Sequence, residues 1–235
     1  MGRIFEKRKH KMFARFDKMA KAFTRIGKDI VIAVKHGGPL PENNPKLRMA
    51  IQNAKGVNMP KERVDAAIKR ASSKEEKDFQ EVTYEGYAPH GVPIMVECAT
   101  DNPTRTVANV RLHFSKGHGS MGNSGSVAFM FERKGVFKFD PAKINVDELE
   151  LDLIDAGADD IEQQEDEVTV YTKFTEFGHM AKFLESKHLE AKSSELHYIP
   201  TTTKELSEEE TDEVLKLVEM LEADDDVQSV YHNLA

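Results

Sequence analysis

Residues 92–114 read VPIMVECATDNPTRTVANVRLHF, and this passage sets the fold class. Val92 to Ala99 is almost wholly apolar and short, the pattern of a strand buried on both faces. Asp101-Asn102-Pro103-Thr104 follows as a turn and helix cap, because Asn accepts backbone N–H bonds at an N-cap and Pro fits the first helical turn. Val107, Val110, Leu112 and Phe114 then belong to a helix expected to pack on the sheet. With Ser126 to Phe131 expected as a further strand, the order is β-α-β, and the chain reads as α+β.

Working toward the C-terminus, the same grammar recurs. Val136–Phe139 is an expected strand and Val146–Ala156 a helix. Strands lie near Ile161 and over Val168–Thr172, followed by a helix over Phe177–Ser186 and one more strand. This run, residues 134–202, forms an inserted α/β domain of ferredoxin-like character within another α/β domain made of 79–133 and 203–235. Ser207 and Glu210 are spaced as a capping box, with Glu208 and Glu209 at the positive helix end. Val214, Leu217, Val218 and Leu221 give that helix its buried face, and Val227 to Tyr231 is expected to complete the host sheet.

Working toward the N-terminus, residues 1–78 carry no strand pattern. Phe13, Phe16, Ala20, Phe23, Gly27, Ile30 and Val34 recur in steps of three and four, the stripe of one long amphipathic helix. Gly37-Gly38-Pro39 ends it. Asn44-Pro45 opens a second helix with Leu47, Ala50, Ile51 and Ala54 inward. Asn58-Met59-Pro60 opens a third, with Val64, Ala67, Ile68 and Ala71 inward. A basic three-helix domain is expected.

The formal net charge is −8, but it is unevenly placed. Residues 1–78 hold 20 Lys+Arg against 9 Asp+Glu, a net of +11, and residues 79–235 hold 13 against 32, a net of −19. Lysine-rich helix faces are commonly just solvated, but such faces usually carry i,i+4 acidic partners, which are sparse here. The segregation points to a polyanion-binding segment on an acidic body. Lys11, Arg15, Lys18, Lys21, Arg25 and Lys28 lie roughly opposite the apolar stripe of the first helix.

Catalytic and metal chemistry find no constellation. Gly117, Gly119 and Gly122 have dinucleotide-loop spacing, but they follow a helix and precede a strand, the reverse of the required context. A phosphate-touching role for this loop, beside Arg111, Lys116 and His118, stands against a turn that simply needs glycine. No helix-spaced His pair or second cysteine exists for zinc, and Cys98 sits in an apolar strand as a buried thiol. No enzyme activity, cofactor or metal is expected. The longest apolar run near the start, Ile30 to Val34, is too short for a signal or a membrane span, so a cytoplasmic chain without membrane contact is expected, and a monomer.

The chain resembles the YebC/PmpR family. The resemblance is carried by Gly37-Gly38, Asn44-Pro45-Lys46-Leu47-Arg48, Asn58-Met59-Pro60-Lys61 and Tyr84-Glu85-Gly86-Tyr87-Ala88-Pro89. Further matches are Glu97 with Thr100-Asp101-Asn102, Arg105-Thr106, Val110-Arg111, Gly125-Ser126-Val127 and Met130-Phe131. The usual His-Ser-Lys-Trp opening of that family is replaced here by Met1-Gly2-Arg3. The resemblance implies three domains, the helical one and two ferredoxin-like ones, and a regulatory protein without enzyme activity. Some members look like DNA-binding transcriptional regulators, and others act on the ribosome, contacting ribosomal RNA or tRNA and relieving stalling. Candidate nucleic-acid contacts are Lys7, Arg8, Lys9, Lys11, Arg15, Lys18, Lys21, Arg25, Lys28, Lys46, Arg48, Lys55, Lys61 and Arg63, together with Arg105, Arg111 and Lys116.

Overall fold

A computed structural model describes the backbone of residues 2–73 and 78–235, and the side chains of 18–73 and 78–235. It forms two compact units, 1–78 and 79–235.

The first unit is helical: α1 spans Gly2–Gly37, α2 Pro45–Gly56 and α3 Lys61–Ala71. Asn44 joins the first two. Its side-chain oxygen accepts from the Leu47 amide at 3.1 Å, capping α2, while its amide donates to Ala33 O at 2.7 Å and Gly38 O at 2.9 Å. One buried side chain thereby satisfies a helix start and the preceding helix's end. Gly37 is fixed by this clasp, since a Cβ there would stand 2.7 Å from the Asn44 side chain.

Around the clasp, α2 runs back along α1, and α3 returns in the direction of α1. Arg63 near the start of α3 lies over the Phe23 ring, while Lys35 reaches Asp78 beyond its end. Flanked by two helices, Ile30, Val31, Ile32, Ala33 and Val34 are all buried, more than a single stripe. Ala20, expected on that stripe, is exposed, because the contacts of α2 and α3 concentrate on the C-terminal half of α1. Phe13 and Phe16 lie outside the described side chains.

The second unit holds two four-stranded antiparallel sheets. In the first, β1 (Gln80–Ala88), β2 (Val92–Thr100), β3 (Ser120–Met121) and β8 (Val227–His232) stand in the order β3-β1-β2-β8. Helices α4 (Pro103–Lys116) and α7 (Glu208–Glu222) cover one face, burying Val110, Phe114, Val214, Leu217 and Leu221 against Val92, Ile94 and Val96. The capping box at Ser207 is formed.

The strand expected over Ser126–Phe131 is instead a loop with a 3-10 turn, and the ladder begins only at Phe131. The amides of Gly125, Val127 and Ala128 are engaged by the Glu85 carboxylate, so they cannot enter a sheet. Strand β1 was not expected, and the sheet therefore opens with a hairpin rather than β-α-β. Leu112 is 50% exposed, because α4 turns Val107, Val110 and Phe114 inward and position 112 falls on the far side.

The second sheet comprises β4 (Phe131–Phe139), β5 (Ala158–Gln163), β6 (Val168–Lys173) and β7 (Ser193–Pro200) in the order β5-β6-β4-β7. With α5 (Val146–Asp155) and α6 (Phe177–Ser186) on one face, this β-α-β-β-α-β run is the ferredoxin-like arrangement. Gly135 permits close packing, since a Cβ there would meet Thr172 Oγ1 at 2.4 Å and the Phe177 ring at 2.5 Å.

Asn44→Ala should destabilise the first unit by about 2 kcal/mol, because it removes the cap on Leu47 N together with the amide's bonds to the Ala33 and Gly38 carbonyls. Hydrogen exchange at the Leu47 amide and in the last turns of α1 checks this, and unchanged protection there would refute the clasp.

Candidate nucleic-acid interface

The cations of the first unit divide by what surrounds them. Lys18 and Lys21, one turn apart on α1, are exposed, as are Lys46 at the start of α2, and Lys61 and Lys69 on α3. Among the described residues, these five make no ion pair. Arg25 is half-buried and has a partner, and Lys55 is exposed but engaged. Arg63 is exposed with its guanidinium 5.5 Å from the Phe23 ring centroid, a cation–π contact that leaves its N–H edge open.

Two expected contacts serve the fold. Lys28 is only 9% exposed, so it does not belong to an open cationic face. Arg48 donates through Nη1 to Pro41 O at 2.8 Å and Glu42 O at 3.1 Å, holding the turn between α1 and α2. Lys7, Arg8, Lys9, Lys11 and Arg15 lie on the helical backbone of α1, but their side chains are outside the described residues.

In the second unit, Arg105 is committed internally. Its Nη2 stands 2.7 Å from Asp226 Oδ2 and 2.9 Å from Asp101 Oδ1. Those two carboxylates hold its pKa above the ordinary guanidinium value. Asp226 is buried and also accepts from Thr106 Oγ1 at 2.9 Å and Thr100 Oγ1 at 3.2 Å. The sequence places Arg105 and Asp226 far apart, and a cation beside a helix start gave no sign of this pairing.

Arg111 is exposed on α4, and Lys116 lies at its end. Lys116 borders a cleft of about 830 Å³ that also takes in His118 and Lys216 but is offset by Glu213 and Glu219. The glycine loop beside it is built for packing. A Cβ on Gly117 would meet Leu217 at 2.8 Å, one on Gly119 the Tyr87 carbonyl at 2.6 Å, and one on Gly122 Ser126 Oγ at 2.5 Å. The left-handed turn falls on His118, at φ 57°.

A residue not chosen from the sequence organises this region. Glu85, 6% exposed, accepts from Gly125 N at 2.7 Å, Val127 N at 2.8 Å and Ala128 N at 2.9 Å. Burial alone would raise its pKa, but the three amide bonds outweigh it and hold the carboxyl below its ordinary value of 4.5. The result is a rigid loop that presents Phe129 at 72% exposure while Val127 is buried. The motif around Tyr84 to Pro89 was the available signal, though nothing local to it names a partner forty residues away.

Comparison with known proteins bears on the whole chain. Residues 3–74 match the family described as TACO1/YebC protein N-terminal domain, and residues 79–234 match TACO1/YebC second and third domain. A protein of Anaeromyxobacter dehalogenans named "Probable transcriptional regulatory protein" is 56% identical, with all of both chains covered. One of Myxococcus xanthus with the same name is 53% identical over the same coverage. The crystal structure of a conserved hypothetical protein from Aquifex aeolicus superposes with a TM-score of 0.81 at 38% identity, covering 92% of this chain and 90% of that one.

The Glu85 clasp should be pH-dependent. Its folded pKa is lowered, so its stabilisation is present above the unfolded value near 4.5 and lost as pH falls through the folded value. Protection of the Gly125, Val127 and Ala128 amides relative to their intrinsic exchange rates should fall in acid, and Glu85→Gln should lower it at neutral pH with a cost of about 2 kcal/mol. A variant whose loop exchanges like the parent at every pH would remove this role.

Proposed function

Because the chain belongs to the TACO1/YebC family, we propose that it is a nucleic-acid-binding regulator of transcription whose first unit grips the phosphate backbone. The observation that carries this is the set of exposed lysines without ion pairs, Lys18, Lys21, Lys46, Lys61 and Lys69, on a unit of net charge +11. An excess of exposed cations on these helices attracts a polyanion by counterion release, which gives affinity and salt dependence rather than sequence selection. Relatives named as transcriptional regulatory proteins support regulation, and DNA is the target we assign. No described helix is long and apolar enough to cross a membrane. A buried, single Cys98 fits a reducing cytoplasm.

Two measurements test this. At physiological salt, the purified chain should prefer its own promoter fragments over random duplex by a large ratio. Equal weak binding to every duplex, with firm co-sedimentation on ribosomal subunits, would overturn the transcriptional reading in favour of a translation factor. Lys18→Glu with Lys21→Glu should weaken binding, and should lower the slope of log affinity against log salt by roughly 2. An unchanged slope would take these lysines out of the interface.

A further inference from the structure

The acidic second unit carries one arginine in an unusual setting. Arg133 on β4 is exposed, with its guanidinium 5.0 Å from the Phe174 ring centroid and 5.7 Å from that of Tyr198. Among the described residues it makes no ion pair within 4 Å. Register explains the arrangement. Arg133 is the cross-strand partner of Tyr198 on β7, so both point from one face of the sheet. Lys134 pairs with Lys173 at the end of β6, which brings the following residue, Phe174, alongside Arg133.

The stack is anchored from behind. Tyr198 stands edge-on to Tyr231 of β8 at 5.5 Å, and Tyr231 donates its hydroxyl to Glu97 at 2.8 Å. Phe174, by contrast, remains 50% exposed. Neighbouring Lys134 is taken by Asp159 at 2.6 Å, whereas Arg133 has only a longer-range attraction to the Glu97 carboxylate. An exposed guanidinium flanked by rings retains N–H donors for a phosphate, which it can take in two parallel bonds.

We propose that Arg133, Phe174 and Tyr198 form a binding site for an unpaired nucleotide, with a base stacked on the open Phe174 face and its phosphate on the Arg133 edge. Two features decide for a single strand. A half-exposed ring can stack only on a base that is out of a duplex, and aromatic stacking beside arginine is how proteins hold single-stranded nucleic acid. The net charge of −19 on residues 79–235 gives no long-range pull on phosphate, so the site acts by contact once the chain is already bound. The inference rests on the reading of this chain as a nucleic-acid binder and extends it with a second, base-contacting site.

The test uses the full chain with fluorescein-labelled oligouridine and a labelled DNA duplex as probes. Phe174→Leu and Arg133→Lys should each weaken oligouridine binding roughly tenfold while duplex binding stays unchanged. Unchanged oligouridine affinity, or equal loss on both probes, would overturn the site. Should either variant melt early, photo-cross-linking of the unaltered chain to thiouridine-substituted oligouridine replaces it. Adducts on the peptides holding Phe174 or Tyr198 support the site, and adducts confined to residues 1–78 refute it. The charge-reversed Lys18 and Lys21 chain separates the two readings. If it binds duplex like the parent while Phe174→Leu still loses oligouridine, the lysine grip fails and the nucleotide site stands.

Discussion

A chain that leaves one sheet to build another, and then returns, must tie its outgoing and incoming strands at the root, and the second unit depends on that tie. The outgoing segment is pinned by Glu85 through three amides, and by Tyr87, whose hydroxyl donates to Ser126 O at 3.2 Å. The incoming segment is hooked to it where Thr201 donates its amide and hydroxyl to Met130 O at 2.9 and 3.1 Å. Beyond Thr201, Lys204 exchanges backbone bonds with Asn233 and Ala235, which brings the start of the returning segment beside the chain end. Met95, Val127 and Phe131 fill the space between. Neither sheet could hold its register against the other if this crossing point were loose, because each sheet alone specifies only its own pairing.

The same junction places ionisable groups where water is scarce. Burial pushes the Glu97 carboxyl above its ordinary range despite the Tyr231 hydroxyl bond, and burial together with Glu97 raises the Tyr231 phenol strongly. Glu85 shows the opposite outcome, because three oriented N–H groups favour its ionised form. Two carboxylates on neighbouring strands thus differ in preference through the balance of burial against the donors each finds. The clasp needs charge, whereas the Glu97–Tyr231 bond tolerates a proton.

Much of this was legible in the sequence, for definable reasons. Helical periodicity located α1, α2 and α3, and the second sheet announced itself because strands and helices alternate at short spacing from Val136 to Ser186. Strand β1 escaped because Gly86 leaves a gap in the alternation of Val82, Tyr84 and Ala88. A carboxylate in a strand ordinarily faces water, and only the amides of Gly125, Val127 and Ala128 make its burial favourable. Among the candidate cations, the exposure of Lys18, Lys21, Lys61 and Arg63 was readable from composition and face, whereas the burial of Lys28 was not. Arg105 was not, since its neutralising Asp226 lies at the far end of the chain. Arg133 was overlooked for the converse reason: it sits in the acidic body, and its distinction comes from rings on two other segments.

The proposed division of labour follows from range. A net positive unit acts over a Debye length and concentrates any nucleic acid near the protein, without regard to its bases. The proposed Arg133 site would act only at contact, where stacking on Phe174 would favour an unpaired nucleotide over one held in a duplex. Placing that site on an acidic unit is consistent with selectivity, because background charge there contributes no indiscriminate affinity that would mask the stacking term. Had Arg133 stood among the lysines of α1, its contribution would be a small increment on a large nonspecific attraction.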